Sequence, residues 1–175
     1  AHLTVAAAAA TGATSAAIGL SGIILSASVR DCVLAAEQVV VATPGELNYL
    51  LTANLGLTDN VLLCGQRGIG LDGMCLHYGQ LRIADNLVLG CTEVGVIANG
   101  AALPSASVAI EGNVLQVVGV GIMAGTDQLR IANNEIVAMA GKAIGHGVHL
   151  VSGVDKGALD RVMVTGNRLH GQRGH

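Results

Sequence analysis

A short pattern of apolar and polar positions recurs along the chain: apolar, any, apolar, any, any, Asn. The alternation has a period of two, which predicts a β-strand with one face turned inward, followed by a turn at the Asn. Two degenerate copies at the start have Ala8 and Cys32 in the Asn place. The seven copies begin at residues 3, 27, 55, 81, 108, 129 and 162, and a period of roughly 20–50 residues is typical of a solenoid. The five complete copies end at Asn60, Asn86, Asn113, Asn134 and Asn167.

Each repeat carries two further apolar signatures. An apolar residue follows two positions after the Asn place, at Leu34, Leu62, Val88, Leu115, Ile136 and Leu169. Further on, Gly or Ala precedes an aliphatic residue, at Ala17-Ile18, Gly70-Leu71, Gly95-Val96, Gly121-Ile122 and Ala143-Ile144. We therefore predict three short strands per coil, stacked in parallel about 4.8 Å apart, so that three sheets enclose one core.

The scarcity of aromatic residues agrees with this prediction. The chain has no Phe, no Trp and two Tyr, whereas a compact core normally uses aromatic side chains to fill volume. Regular layers of Val, Ile, Leu and Ala need no such filler, because like residues stack on like. The recurring Asn would tolerate a left-handed backbone at the turn, and its amide could hydrogen-bond from coil to coil as a ladder. We expect this ladder to be structural.

On these repeats and this ladder, the chain resembles the pectate-lyase-like right-handed β-helix superfamily over nearly its whole length. The resemblance implies an all-β fold, a right-handed parallel β-helix that forms a three-sheet solenoid of about six to seven coils. We expect one domain over residues 1–175, with a degenerate first coil at 1–26 and a C-terminal end cut in mid-coil, as in a fragment of a longer solenoid. Proteins of this fold include polysaccharide lyases, hydrolases, epimerases, phage tailspikes, adhesins and non-catalytic spacers, so the fold alone does not assign a function.

Charge and composition exclude several partners. Charged residues make up 12% of the 175 residues and the net charge is −3, which leaves no basic stripe for nucleic acid and no polybasic segment for an anionic membrane. Residues 3–27 are uncharged, but they are mostly Ala, Gly, Ser and Thr, which insert weakly into a bilayer, and they fit the repeat. We therefore expect no membrane span. The four Cys form no C-x-x-C pair, and we expect free thiols.

Three residues near one turn are the weak catalytic candidates: Asp72, His77 and Arg82. The resemblance to pectate lyases implies calcium-binding acids and an Arg base on the outward face of the third sheet. Our alignment gives that outward row as Gly19, Asp72, Ile97, Met123 and Gly145. Only one member is acidic, and no second carboxylate accompanies Asp72 to complete an acid–base pair.

Other motifs offer weaker candidates. Asp31, Asp59 and Asp85 precede the ladder position in successive coils. Stacked on successive coils, the three carboxylates could hold a Ca²⁺ ion, which prefers several carboxylate oxygens. Alternatively, the side chains could point to water and cap their own turns. We favour this second interpretation. His146 and His149 resemble a metal pair. Residues three apart on a strand point to opposite faces, so the default interpretation is separate histidines at a loop edge, although a loop could still bring them together.

Residues 68–73 match G-x-G-x-x-G. A dinucleotide site would need a helix directly after this motif, and a repeat strand follows instead. We expect no cofactor. The alternative is the Ca²⁺ ion that the stacked aspartates could hold.

Two functions from different classes remain. The first, which we favour, is a non-catalytic structural or interaction segment of a larger secreted, surface or phage-like assembly, with other protein chains or further coils as partners. The second is part of a carbohydrate-active enzyme, a polysaccharide lyase, hydrolase or epimerase, with catalytic coils partly outside this chain. Either function favours an extracellular, cell-surface or virion location over the cytoplasm. Sugar-binding grooves usually carry aromatic platforms and paired acids, and this chain has almost neither.

Overall fold

A computed structural model of the chain describes residues 3–6, 15–20, 23–42, 50–102, 104–152 and 159–171. These residues form sixteen β-strands joined by turns, and no helix. In chain order the strands are β1 Leu3–Ala6, β2 Ala16–Leu20, β3 Ile23–Arg30, β4 Cys32–Ala42, β5 Leu50–Thr58, β6 Val61–Ala84, β7 Leu87–Cys91, β8 Val94–Ala102, β9 Ala106–Glu111, β10 Val114–Val117, β11 Val120–Gly125, β12 Leu129–Ala132, β13 Glu135–Ala138, β14 His146–Leu150, β15 Met163–Thr165 and β16 Arg168–His170.

The strands stack into three parallel sheets, as the repeat predicts. The pre-ladder sheet contains β3, β5, the end of β6, β9, β12 and β15. The post-ladder sheet contains β1, the starts of β4 and β6, β7, β10, β13 and β16. The third sheet contains β2, the end of β4, the middle of β6, β8, β11 and β14. The chain is thus an all-β parallel β-solenoid, and the ladder position recurs over five turns from Cys32 to Asn167, slightly fewer than the six to seven coils expected.

Stacked aliphatic rows form the core. The register pairs Leu55 with Leu81 and Leu57 with Ile83, and the same two rows continue through the later coils. Their members from residue 55 to residue 131 are at most 1% exposed. Burial of one such side chain contributes about 1.5–3 kcal/mol, so a regular stack of many small layers replaces the aromatic filler that the chain lacks.

The Asn ladder is confirmed. In each step the backbone N–H and the Nδ2 of one Asn donate to the Oδ1 of the Asn in the next coil, as from Asn86 to Asn113 at 3.0 and 2.9 Å. At the first coil the backbone N–H of Cys32 donates to the Oδ1 of Asn60 at 3.1 Å. Asn60, Asn86, Asn113 and Asn134 are buried, so their amides satisfy backbone groups that water cannot reach.

The left-handed backbone of this turn belongs to the residue before the ladder position, and not to the Asn as we had predicted. Asp31, Asp59 and Asp85 have φ of 53°, 58° and 58°. Later coils use residues that adopt this conformation more readily, Gly112, Asn133 and Gly166. The three carboxylates therefore lie at a turn position that Asp, Asn or Gly occupies in different coils, because these residues adopt a positive φ.

The first strand is also assigned differently. The sequence placed Leu3 and Val5 before a ladder position, but β1 pairs Leu3 with Cys32 and Val5 with Leu34. It therefore lies in the post-ladder sheet. A Leu-x-Val pattern fits either sheet, because both have a period of two, and only the pairing distinguishes them.

The alignment predicted for the third sheet is wrong in two coils. The register stacks Val40, Ile69, Val96, Ile122 and Val148. Gly68 and Gly147 therefore occupy the places predicted for Gly70 and Ala143. A glycine is required before Ile69, Val96 and Ile122, because a Cβ there would meet the backbone of the next coil; on Gly95 it would lie 2.7 Å from the backbone oxygen of Gly121. The outward row consequently reads Gly19, Val41, Gly70, Ile97, Met123 and His149.

A disulfide joins neighbouring coils, which corrects the expectation of four free thiols. Cys64 and Cys91 are bonded, with their Cα atoms 5.1 Å apart, while Cys32 and Cys75 are free. Gly90 adopts φ +86°, and the register shifts there so that Cys91 pairs with Val117. This bulge brings the second sulfur onto the row that Cys64 occupies.

Candidate functional site

A groove lies on the outward face of the third sheet. It has a volume of about 410 Å³, and its lining includes Gln38, Arg67, Asp72 and Ile97. Ile97 is 5% exposed, so it forms the floor of the groove although it belongs to the outward row. Asp72 projects from an irregularity in β6, where the pairing with β8 shifts between Leu71 and Met74, and for this reason it is absent from the outward row.

The charged groups of this groove favour binding over acid–base chemistry. Asp72 is the one carboxylate among the lining residues that the structure describes, and it is exposed. The Nε of Arg67 donates to the Oε2 of Glu93 at 2.8 Å, which holds that guanidinium along the sheet. Glycoside hydrolysis by the usual route needs two carboxyl groups facing one bond. The groove therefore offers an amide, a carboxylate and a cation to a polar ligand.

The three catalytic candidates are not gathered in this groove. Arg82 lines a separate depression of about 180 Å³ on the pre-ladder sheet, together with Arg30, Asn54 and Gln80. Its Nη2 lies 3.6 Å from the Oδ2 of Asp85. The backbone of His77 lies in β6, and its side chain lies outside the described part. A joint catalytic role for Asp72, His77 and Arg82 stays a prediction.

The stacked aspartates lie at exposed turns. Asp31, Asp59 and Asp85 are all exposed, and the carboxylate of Asp85 faces Arg82. The backbone N–H groups of Asp59 and Asp85 donate to carbonyl oxygens of the next coil. Within the described ranges, no group of three or more His, Cys, Asp or Glu could hold a metal ion. The Ca²⁺ alternative stays a prediction without a ligand set in this part of the chain.

Two sequence motifs have a different geometry from the one their spacing suggests. The imidazole rings of His146 and His149 are 5.2 Å apart, although they were expected on opposite faces. Residues 68–73, the G-x-G-x-x-G match, lie inside β6, so the strand continues where a phosphate site would need a helix N-terminus.

Sequence reasoning missed the two other polar groups of the groove, Gln38 and Arg67. Gln38 pairs with Arg67 in the register of the third sheet, but the shift in that pairing hid the relation in the sequence. Elsewhere, the Oδ1 of Asn99 is buried without a hydrogen-bond partner, the one such side-chain atom found among the described residues. The sequence repeat did not identify Asn99, because residue 99 lies outside the positions that the repeats align.

Comparison of the chain with protein-family models, with curated proteins and with solved structures gives no match. The structure itself shows a parallel β-solenoid with an asparagine ladder. No described segment forms a helix with the length and apolar character needed to cross a bilayer.

Proposed function

We propose that this chain is a non-catalytic structural or interaction segment of a larger secreted, surface or phage-like assembly. The observation that supports this most directly is the ladder, which runs unbroken from Cys32 to Asn167. Each interior amide bonds forward to the next Asn and backward to a carbonyl, as Asn86 does to Leu57 at 2.8 Å. Connected buried networks of this kind make a structure rigid, which suits a shaft or a fixed contact surface.

The disulfide supports the proposed compartment. Disulfides persist in secreted, periplasmic and surface proteins and are rare in reducing cytosol. The Cys64–Cys91 bond links two coils at an inward row, where it restrains their separation. An extracellular, cell-surface or virion location follows from the proposal, with further coils or other protein chains as partners.

We further propose that the coil is right-handed and that the chain is a divergent relative of the pectate-lyase-like superfamily. The support for the hand is general, since parallel strands joined by crossovers in one sheet are right-handed in nearly all proteins. The support for the superfamily is the combination of three parallel sheets with Asn at one turn. An experimental structure with a left-handed coil would overturn both proposals.

The alternative is a carbohydrate-active enzyme, and the groove beside Asp72 is the observation that favours it. In that case Asp72 would act as acid or base, and a second carboxylate would come from outside the described residues. A glycan would lie over Gly70 and Ile97, where the absence of a side chain at residue 70 leaves room for a ring.

Turnover assays with matched variants distinguish the two functions. The chain, its Asp72→Asn variant and its Asp59→Asn variant are incubated with uronate-containing and neutral polysaccharides, and new reducing ends and unsaturated products are measured. Asp59→Asn is the control because Asn tolerates the left-handed turn at that position. The structural proposal predicts no product from any of the three. Turnover that Asp72→Asn abolishes and Asp59→Asn retains would establish the enzyme instead.

Hydrogen exchange gives the structural proposal a positive test. A rigid shaft requires slow exchange of the backbone N–H groups of Asn60, Asn86 and Asn113, each of which donates to a buried Oδ1. Exchange at the rate of an unstructured peptide would show that the ladder does not hold the coils together, and the proposal would fail.

A further inference from the structure

The two histidines of β14 share the outward face of the third sheet. Their ring centroids are 5.2 Å apart and the ring planes are tilted by 39°. Simple alternation would separate residues three apart, but Gly147 lies at an inward corner between them. A Cβ on Gly147 would lie 3.2 Å from the side chain of Leu169, and Val148 packs against the core. Because two consecutive residues face inward, His146 and His149 both face outward.

The surroundings leave these imidazoles available to a ligand. In the register, His146 pairs with Val120 and His149 pairs with Met123, and neither neighbour is charged. His146 is exposed and His149 is half-buried. Arg67, at the same register position as His146 three coils earlier, pairs with Glu93, whereas no ion pair to either histidine is found in the described part of the chain.

We infer that His146 and His149 form a two-histidine site for a divalent transition-metal ion, with Zn²⁺ as the representative. Imidazole is a ligand that Zn²⁺, Cu²⁺ and Ni²⁺ favour and that Ca²⁺ and Mg²⁺ do not. Zn–N bonds of about 2.0–2.1 Å place a ring centroid about 3.2 Å from the ion, so two tetrahedral ligands have centroids about 5.2 Å apart. The observed spacing of 5.2 Å equals this value.

The site is an open one. No third His, Cys, Asp or Glu joins the pair among the described residues, so the two imidazoles are the protein ligands in this part of the chain. Two protein ligands give weaker binding than the three or four of catalytic and structural zinc sites. The ion is therefore exchangeable. This inference does not depend on the proposed structural function.

Calorimetric titration of the full chain with Zn²⁺ tests the site. We expect one ion per chain, with binding weakened about tenfold or more in both His146→Gln and His149→Gln. His170→Gln is the matched control, because that imidazole lies 3.4 Å from Glu135 on another sheet and its loss leaves the pair intact. Since thiolates also bind zinc, Cys32→Ser and Cys75→Ser variants are titrated alongside, and these retain the binding if the histidines hold the ion.

NMR of the imidazole rings provides a second readout, and it uses the unaltered chain, so it does not depend on whether the variants fold. Zn²⁺ added to the unaltered chain shifts the ring resonances of His146 and His149 together and leaves those of His170 in place. The inference is overturned if those two histidines do not respond, if His149→Gln binds zinc as tightly as the unaltered chain, or if the cysteine variants abolish the binding.

Discussion

Replacement of Asn86 by Leu removes the centre of the ladder while nearly keeping the volume of the side chain. Asn86 is 1% exposed. Its Oδ1 accepts from the backbone N–H of Asn60 at 3.1 Å and from Asn60 Nδ2 at 2.9 Å. Its Nδ2 donates to the carbonyl oxygen of Leu57 at 2.8 Å and to Asn113 Oδ1 at 2.9 Å. Leu can make none of these four bonds.

The cost depends on which partners keep another bond. Asn60 Nδ2 still donates to the carbonyl of Val29 at 3.0 Å, and Asn113 Oδ1 still accepts from the backbone N–H of residue 86. The backbone N–H of Asn60 and the carbonyl of Leu57 lose these partners in the buried turn. At about 1–3 kcal/mol for each of these two buried groups left unsatisfied, we expect a loss of about 2–6 kcal/mol in the free energy of unfolding.

Urea unfolding followed by far-ultraviolet circular dichroism measures this loss, and Asn167→Leu is the matched control. Asn167 makes the same kind of bonds to Asn134, but it is only partly buried, so water can replace its amide and the loss should be smaller, about 1 kcal/mol. Hydrogen exchange adds a local readout, because the amide of residue 60 should exchange faster in Asn86→Leu. Equal stability of Asn86→Leu and the unaltered chain would refute the reasoning, as would a larger loss in Asn167→Leu.

Four further predictions concern the coil itself. Alkylation of the denatured, unreduced chain should modify two cysteines and leave Cys64 and Cys91 unmodified until reduction, and modification of all four would exclude the disulfide. Reduction of that bond should lower the free energy of unfolding by about 2–4 kcal/mol, since the bond closes a long loop, and an unchanged denaturation midpoint would contradict this. Gly95→Ala should destabilise the fold by about 1–3 kcal/mol because its Cβ would meet backbone. Gly70→Ala should cost less, since its Cβ would lie 3.7 Å from its nearest neighbour. Equal unfolding midpoints of the two variants would refute the requirement for glycine at position 95. Asp85→Val should lower the stability of the fold by about 1–2 kcal/mol because of the left-handed φ at this position, and Asp85→Asn should be near neutral. Thermal unfolding of the two variants checks this, and a greater loss in Asp85→Asn would contradict it.

The candidate sites were less accessible to sequence reasoning than the fold. Asp72 was recognised as a lone acid, and it lies in the groove on the third sheet. Gln38 comes from the preceding coil and Arg67 from the same strand as Asp72, and the repeat alignment contained no register that would place either of them beside it. Arg82 is close to Asp72 in sequence but lines another depression, because β6 passes through all three sheets between residues 61 and 84.

The sequence by itself determined the coil. Three local features recur in every repeat: a period of two, an Asn at a fixed offset and rows of aliphatic residues. For this reason, five ladder residues and the inward rows around them were predicted correctly. Stacking then follows, because no single coil can bury its apolar face.

Only the tertiary structure decided where the coil departs from its repeat. Gly90 shifts the register by a bulge and brings Cys91 to Cys64. Gly147 turns inward and leaves His146 and His149 on one face. The left-handed position falls on Asp85 and not on Asn86. Each of these depends on how one coil pairs with the next, and a one-residue change in that pairing reverses every side chain after it, so no pattern within a single coil could determine them.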